Sequence, residues 1–297
     1  MFYVFNPSKL IFAIHTWVFG CLILASTILP FAAGHAEDTL LLGMLPRHNP
    51  IETTRMYLPL AKYLSKHLGR KVQLVTPKNF PTFWRNVTNK QFDIVNFNQF
   101  HYVKSHKEIG YDVFGVIEEF GESTITGSII VRKDSGINTV QDLKGKHIIF
   151  GGGKKAMQSY IYATYLLMEQ GLNPGDYTHS IARTPPNAIF ATYFKQASAG
   201  GIGDKVLSLP AVTQKIDTTQ IRFLVKGNQY PHLPWAFNNR LPQSLQQQIA
   251  ELMFNLKNTT EGKKILAKAN LTGFVKATDQ DFDMHRAIIY KVRGEQY

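Results

Sequence analysis

The chain has 297 residues, 44% hydrophobic and 18% charged, with one cysteine and a formal charge of +12. That composition is ordinary for a globular protein, and the length suits two modest lobes or one large α/β domain. The bases are scattered, as at Lys62, Lys66, Arg70 and Lys71 or Lys144, Lys146, Lys154 and Lys155. With no arginine-rich tail and no zinc-finger spacing, nucleic-acid binding is not expected.

Lys9 is the only charged side chain before Glu37, and residues 10–33 are almost continuously apolar, broken at Pro30. Gly34-His35-Ala36 puts small residues at the two positions a signal peptidase reads, so residues 1–36 are expected to be a secretory signal cleaved after Ala36. Two alternatives stay open. The run reaches the roughly 20 residues that span a bilayer, which allows an uncleaved membrane anchor; lipid attachment at Cys21 is the other. With Cys21 removed, no disulfide, thiol catalysis or cysteine metal site is available, and export without disulfides fits a periplasm.

Residues 39–45 read as a strand ended by Pro46. Asn49 is placed to cap a helix with Pro50 at its first position, and Met56, Tyr57, Leu60, Leu64 and Leu68 recur at helical spacing up to Gly69. Pro59 within that span predicts a kink or restart. Next come a strand over 71–76, a short helix over 81–88, a strand over 92–97 and a helix over 99–106. Strands succeed it at 111–117 and 123–132. Residues 147–150 are an apolar run, Gly151-Gly152-Gly153-Lys154-Lys155 a turn, and 156–170 a helix without Gly or Pro. Strand, glycine turn and helix aim free backbone N–H groups and the positive end of a helix dipole at one point, where an anion can sit. A tight turn needing glycine only for its backbone angles explains the same residues.

A strand over 178–182, a helix over 186–196, a strand over 197–202, a helix opening at Asp204 and a strand over 221–226 complete the second half. After a loop over 227–234 the remainder reads as helical, at 242–256, 261–269 and 281–290. Alternating strands and helices predict an α/β protein with largely parallel sheets.

In an open α/β sheet, ligands sit outside the carboxyl ends of the strands. Four predicted strand ends carry polar residues: Arg47 with His48, Asn98 with Gln99, the turn through Gly153 and Lys155, and Asp204. Together they offer donors, an anion nest and one carboxylate, which suits a small polar ligand. Catalysis finds less support, since no GxSxG elbow, HExxH helix or nucleotide P-loop occurs. His101 and His106 are five apart, off a shared helix face, so no metal is expected, and no cofactor either. Asp204 alone suits an acceptor or a helix cap better than a general base.

Several segments occur in the order and spacing of one family. They are Leu42-Gly43-Met44-Leu45-Pro46 with Pro59-Leu60-Ala61-Lys62-Tyr63-Leu64, then Phe92-Asp93-Ile94-Val95 with Tyr102-Val103. Ile129-Ile130-Val131-Arg132-Lys133-Asp134-Ser135-Gly136-Ile137, Asp142-Leu143-Lys144-Gly145-Lys146, Gly171-Leu172-Asn173-Pro174 and Gly273-Phe274-Val275 complete the series. The chain resembles the PhnD-like substrate-binding proteins of ABC transporters for phosphonate, phosphite and phosphate, which have a type II periplasmic-binding fold. The resemblance implies two α/β lobes, 37–124 with 227–297 and 125–226, each a mostly parallel sheet flanked by helices. They would close on a ligand about hinge strands near 123–128 and 222–227. It further implies a monomeric periplasmic protein that hands a small molecule to a membrane permease, without hydrolysis.

The resemblance also exposes a departure. Where that family carries a Ser-Thr-Ser run that holds phosphonate oxygens, this chain has Lys155, Ala156 and Met157, with Gln158 and Ser159 close by. The histidine expected on the next loop is replaced by Pro186 or Asn187, while Gly203-Asp204 keeps an acid. Lysine with free helix amides can bind a carboxylate, sulfonate or phosphate, and Lys155 is expected to matter more than Lys154. A membrane-tethered sensing module, or an enzyme using Asp204, are the alternative functions.

Overall fold

The computed structural model describes residues 39–297, and the expected leader lies outside the described residues. After β1 (Leu40–Gly43), Asn49 accepts from the Glu52 N–H at 2.9 Å and starts α1 (Pro50–Leu68), which ends at left-handed Gly69. Pro59 does not restart α1. Buried Met56, Tyr57, Leu60 and Leu64 hold that face against the core and outweigh one missing hydrogen bond.

The chain continues through β2 (Val72–Val75), α2 (Phe80–Thr88), β3 (Ile94–Asn96), α3 (Gln99–Ile109), β4 (Tyr111–Glu118), β5 (Thr124–Ile125) and β6 (Gly127–Arg132). Next are β7 (His147–Gly151), a π-helical turn (Met157–Tyr162) running into α4 (Ala163–Glu169), β8 (Thr178–Ala182), α5 (Pro185–Tyr193), β9 (Ala199–Gly203) and α6 (Pro210–Thr213). The last elements are β10 (Ile221–Lys226), β11 (Tyr230–Pro231), β12 (Pro234–Asn238), α7 (Gln243–Asn255), α8 (Thr260–Lys268), β13 (Gly273–Lys276) and α9 (Asp283–Arg293).

Among the described residues the strands form a six-stranded sheet ordered β13-β4-β12-β3-β1-β2, a five-stranded sheet ordered β10-β6-β9-β7-β8, and a ribbon of β5 and β11. The α/β class is as expected, but the sheets are mixed. β1 runs parallel to β2 and β3, and β7 to β8 and β9, whereas β12, β13, β6 and β10 enter antiparallel. Two of these strands lie in the stretch read as loop and helices. β12 is buried along its whole length, so Pro234-Trp235-Ala236-Phe237-Asn238 shows no alternation. Its proline looks like a breaker yet occupies the first strand position.

The chain leaves the first sheet through β5 and returns through β11. These segments pair with each other, Tyr230 opposite Ile125 and Pro231 opposite Thr124. Asp204, at the end of β9, ties both crossings. Its Oδ1 accepts from the Thr126 N–H at 3.1 Å, and its Oδ2 accepts from Gln229 Nε2 at 2.9 Å and sits 3.3 Å from Lys226 Nζ. Gly127 and Gly227 lie directly on Tyr162, where a Cβ at either would collide with the ring or its hydroxyl.

One face of the six-stranded sheet packs Leu42, Ile94, Trp235 and Phe274 against α1, α7 and α8. The other packs against α2, α3 and α9 and reaches Met157, Ile161 and Tyr162 of the π-helical turn. Trp235 is fully buried, its ring 6.1 Å from Tyr57 and 5.3 Å from Phe274. Trp235→Ala should therefore lower stability by about 3–5 kcal/mol, read as the shift of a urea midpoint. Phe194→Ala, at a residue 62% exposed, should stay within about 0.5 kcal/mol of the parent.

Candidate functional site

A cavity of about 100 Å³ opens where the carboxyl ends of the two larger sheets face each other. Leu45, Pro46 and Arg47 follow β1; Phe80 begins α2; Asn98 and Gln99 follow β3; His232 and Leu233 follow β11. Facing them are Gly152 and Ala156 to Ser159 after β7, Arg183, Thr184 and Pro185 after β8, and Gly203 and Val206 after β9. Ile125 of β5 contributes from the crossing.

Of the residues singled out from sequence, Arg47, Asn98, Gln99, Ala156, Met157, Gln158 and Ser159 line this cavity. His48 lines an adjoining cleft with Thr184, Pro185 and Val206. Tyr102, Gly153, Lys155, Asn187 and Asp204 line neither. Tyr102 is buried and donates to Asp279 Oδ1 at 2.7 Å, Asn187 is exposed on α5, and Asp204 is engaged at the crossing. The Lys155 side chain is exposed, while its carbonyl accepts from Asn98 Nδ2 at 3.0 Å across the cleft. Arg183 and Thr184 were missed, although they follow a correctly expected strand and the strand-end rule reaches them. His232 and Glu119, in loops beside the crossings, had no comparable signal.

The glycine turn builds one wall. Gly152 and Gly153 have φ of 83° and 102°, angles that favour glycine. Gly151 packs so closely on Pro185 that a Cβ there would meet its Cα. The next helix opens as a π turn, not the α-helix expected: the Ala156 carbonyl accepts from both the Tyr160 and Ile161 N–H groups at 3.1 Å. The amides of Met157, Gln158 and Ser159 precede those bonds and have no partner among the described residues. Ser159 gives its hydroxyl hydrogen to the Gly151 carbonyl.

Charge in the cavity is set by a buried group behind it. Arg47 Nη1 donates to Glu119 Oε1 at 2.8 Å, and Glu119 Oε2 faces His232 Nε2 at 3.2 Å. The Leu233 N–H donates to His232 Nδ1 at 2.8 Å, which places the imidazole proton on Nε2, toward Glu119. Burial pushes the Glu119 carboxyl up, but the Arg47 guanidinium and the His232 imidazole outweigh it and hold the group well below the usual carboxylate range. Burial pushes His232 down. Exposed Arg183 has no ion pair or hydrogen bond among the described residues.

Three histidines are buried around the site, and each is held neutral. Burial, with the charges of Lys155 and Lys104, lowers His101 to about 3. Burial, with the charge of Arg286, lowers His285 to about 3, and burial lowers His232 in the same direction. Unfolded histidines titrate near about pH 6.5, so below that value the unfolded chain binds protons that the folded chain refuses. Stability is therefore fully present above about pH 6.5 and is lost as pH falls, by up to ~1.4 kcal/mol per pH unit for each histidine. Glu119 acts in the same direction lower down, its contribution present above the unfolded carboxylate value and lost as pH falls toward its depressed folded value. Melting temperatures should be level above neutrality and drop steeply on acidification, and His285→Gln should flatten the drop by about one proton. A level profile from neutrality to about pH 5 would contradict this.

A sequence profile of the family described as ABC transporter, phosphonate, periplasmic substrate-binding protein matches residues 42–282. Among solved structures, PhnD1 from Prochlorococcus marinus (MIT 9301) in complex with methylphosphonate is similar at 17% identity and a TM-score of 0.75, over 86% of this chain and 99% of that one. A binding-protein component of an ABC phosphonate transporter from Pseudomonas aeruginosa gives 15% and 0.72, over 86% and 87%. The periplasmic aliphatic sulphonate binding protein SsuA from Escherichia coli gives 18% and 0.61, over 86% and 88%. At these identities the structural likeness is one of fold, the type II periplasmic-binding fold, while the profile spans most of the chain. The chain belongs to the family of periplasmic substrate-binding proteins of ABC phosphonate transporters.

Proposed function

We propose that the protein captures a small organic oxyanion, phosphonate or sulfonate in kind, in the cavity between its two larger sheets and presents it to a membrane permease. One observation carries this reading: Arg47 and Arg183, which follow strands of opposite sheets, line one cavity with Met157, Gln158 and Ser159, whose amides have no partner among the described residues. Cations and oriented amides are what an oxyanion needs when it leaves water. The ligands in the printed names of the similar structures, methylphosphonate and aliphatic sulphonates, support the same class.

In this reading residues 37–124 with 227–297 form one lobe and residues 125–226 the other. The ribbon of β5 and β11 is the hinge, with Asp204 as the clasp that keeps both crossings in register. The protein works as a monomer that reaches the periplasm through a leader cleaved after Ala36. No described helix is long and apolar enough to cross a membrane. The three hydroxyls absent from the turn are replaced by backbone amides and by Arg183, not by the lysines beside the turn.

Calorimetric titration with methylphosphonate and with methanesulfonate tests the assignment. Arg183→Ala should weaken binding by roughly 10- to 100-fold, the value of a charge-assisted hydrogen bond, without lowering the melting temperature, because the side chain is exposed and unpaired. Lys154→Ala and Lys155→Ala should each change affinity by less than about threefold, since exposed charges are well screened. No binding of either anion, or an unchanged affinity in Arg183→Ala, would remove the proposal.

A further inference from the structure

If the cavity holds an oxyanion, as proposed for its function, its lining also restricts which oxyanion. Its cations are fewer than they look. The Arg47 guanidinium is neutralised by Glu119 at 2.8 Å. His232 uses Nδ1 as an acceptor and keeps a single ring proton, so it adds no charge. His48, in the adjoining cleft near Arg47 and Glu52, is lowered to about 4 by burial and by Arg47, and is neutral at working pH. Lys154 and Lys155 are exposed and off the wall. What remains is one uncompensated guanidinium, Arg183, and the partial charge of a helix start, equivalent to roughly half an elementary charge.

Most side-chain donors are committed as well, the Thr184 hydroxyl apart. Asn98 donates to the Lys155 carbonyl, Gln99 to the Pro231 carbonyl at 3.0 Å, and Ser159 to the Gly151 carbonyl. A dianion, which needs a dense set of donors to replace its hydration, is poorly served here. Much of the rest of the wall is apolar: Leu45, Phe80, Ile125, Met157, Val206 and Leu233, beside Gln158 and Thr184. Such a surface gains from covering carbon, and bare phosphate or sulfate has none to offer.

We infer that the ligand is an amphiphilic monoanion, a sulfonate or a singly ionised phosphonate carrying an apolar substituent, with its head toward Arg183 and the amides of residues 157–159. The substituent lies against the apolar wall. The missing hydroxyls accord with this, because a monoanion needs fewer donors than a dianion.

Calorimetry on the full-length mature protein with four probes tests the inference: butanesulfonate, butylphosphonate, sulfate and inorganic phosphate. Each is measured below and above the second ionisation of butylphosphonate, at constant ionic strength. Butanesulfonate, a monoanion throughout, should bind equally at both pH values, which also shows that no group of the protein titrates in the interval. Butylphosphonate should weaken by about tenfold or more once it becomes a dianion, because the second charge meets no second cation. Both butyl compounds should exceed the inorganic ions by roughly a hundredfold, the value of four buried carbons. Tighter butylphosphonate binding above its second ionisation, or inorganic ions within about threefold of the butyl compounds, overturns the inference and leaves the oxyanion reading standing. If none of the four binds, the oxyanion reading itself falls, and the inference with it.

Discussion

Glu119 sits where a carboxylate is expensive to keep, buried at the end of β4 just before the chain first leaves its sheet. It stays ionised because Arg47 meets it from the loop after β1 and His232 meets it from the returning crossing. The His232 N–H also donates to the Ser123 carbonyl at 2.9 Å, which stitches the returning segment to the outgoing one. One carboxylate thus joins the cavity-lining loop after β1 to both chain crossings between the sheets. It also offsets the charge of the Arg47 guanidinium in the cavity wall, so part of the cavity's charge is decided behind that wall. Removing Arg47 would leave an uncompensated carboxylate in a buried place, which ties the group to stability as well as to the charge of the cavity.

On the opposite wall the groups that the proposed anion would meet are mostly backbone. Two left-handed glycines reverse the chain after β7, and the close approach of Gly151 to Pro185 brings the ends of β7 and β8 side by side. Arg183 and the start of the π turn line the same cavity. The neighbouring lysines act through their carbonyls: Lys155 accepts from Asn98, and Lys154 accepts from Arg293 Nη1 at 3.3 Å, while both ammonium groups stay in water. The turn is thus tethered from the other side of the cleft, and Met157 and Ile161 extend the apolar face covered by α9.

Much of this was legible in the sequence. The apolar period of α1, its Asn49 cap, the strand before the glycine turn and the β/α alternation all arise from local chemistry. The cleft was found at strand ends because free backbone groups and polar loops collect there. What escaped had non-local causes. β12 is central and covered on both faces, so it carries no alternation, and its first residue is a proline. The π opening after Ala156 depends on packing around Met157 and Tyr162, which no residue in 156–170 announces. Asp204 was rightly seen as an acceptor, but its partners, Thr126 and Gln229, are distant in sequence and belong to the crossings. Lys155 looked like the anion's contact because it adjoins the turn, yet side-chain direction depends on the turn's geometry.

A crystal structure of the protein with butanesulfonate tests most directly whether the anion is held by backbone amides and Arg183. Sulfonate oxygens should then lie within hydrogen-bond distance of the amides of Met157, Gln158 or Ser159 and of the Arg183 guanidinium, with the butyl chain against Phe80 and Leu233. A sulfonate held by the ammonium groups of Lys154 and Lys155, with the cavity between the sheets left to water, would contradict it.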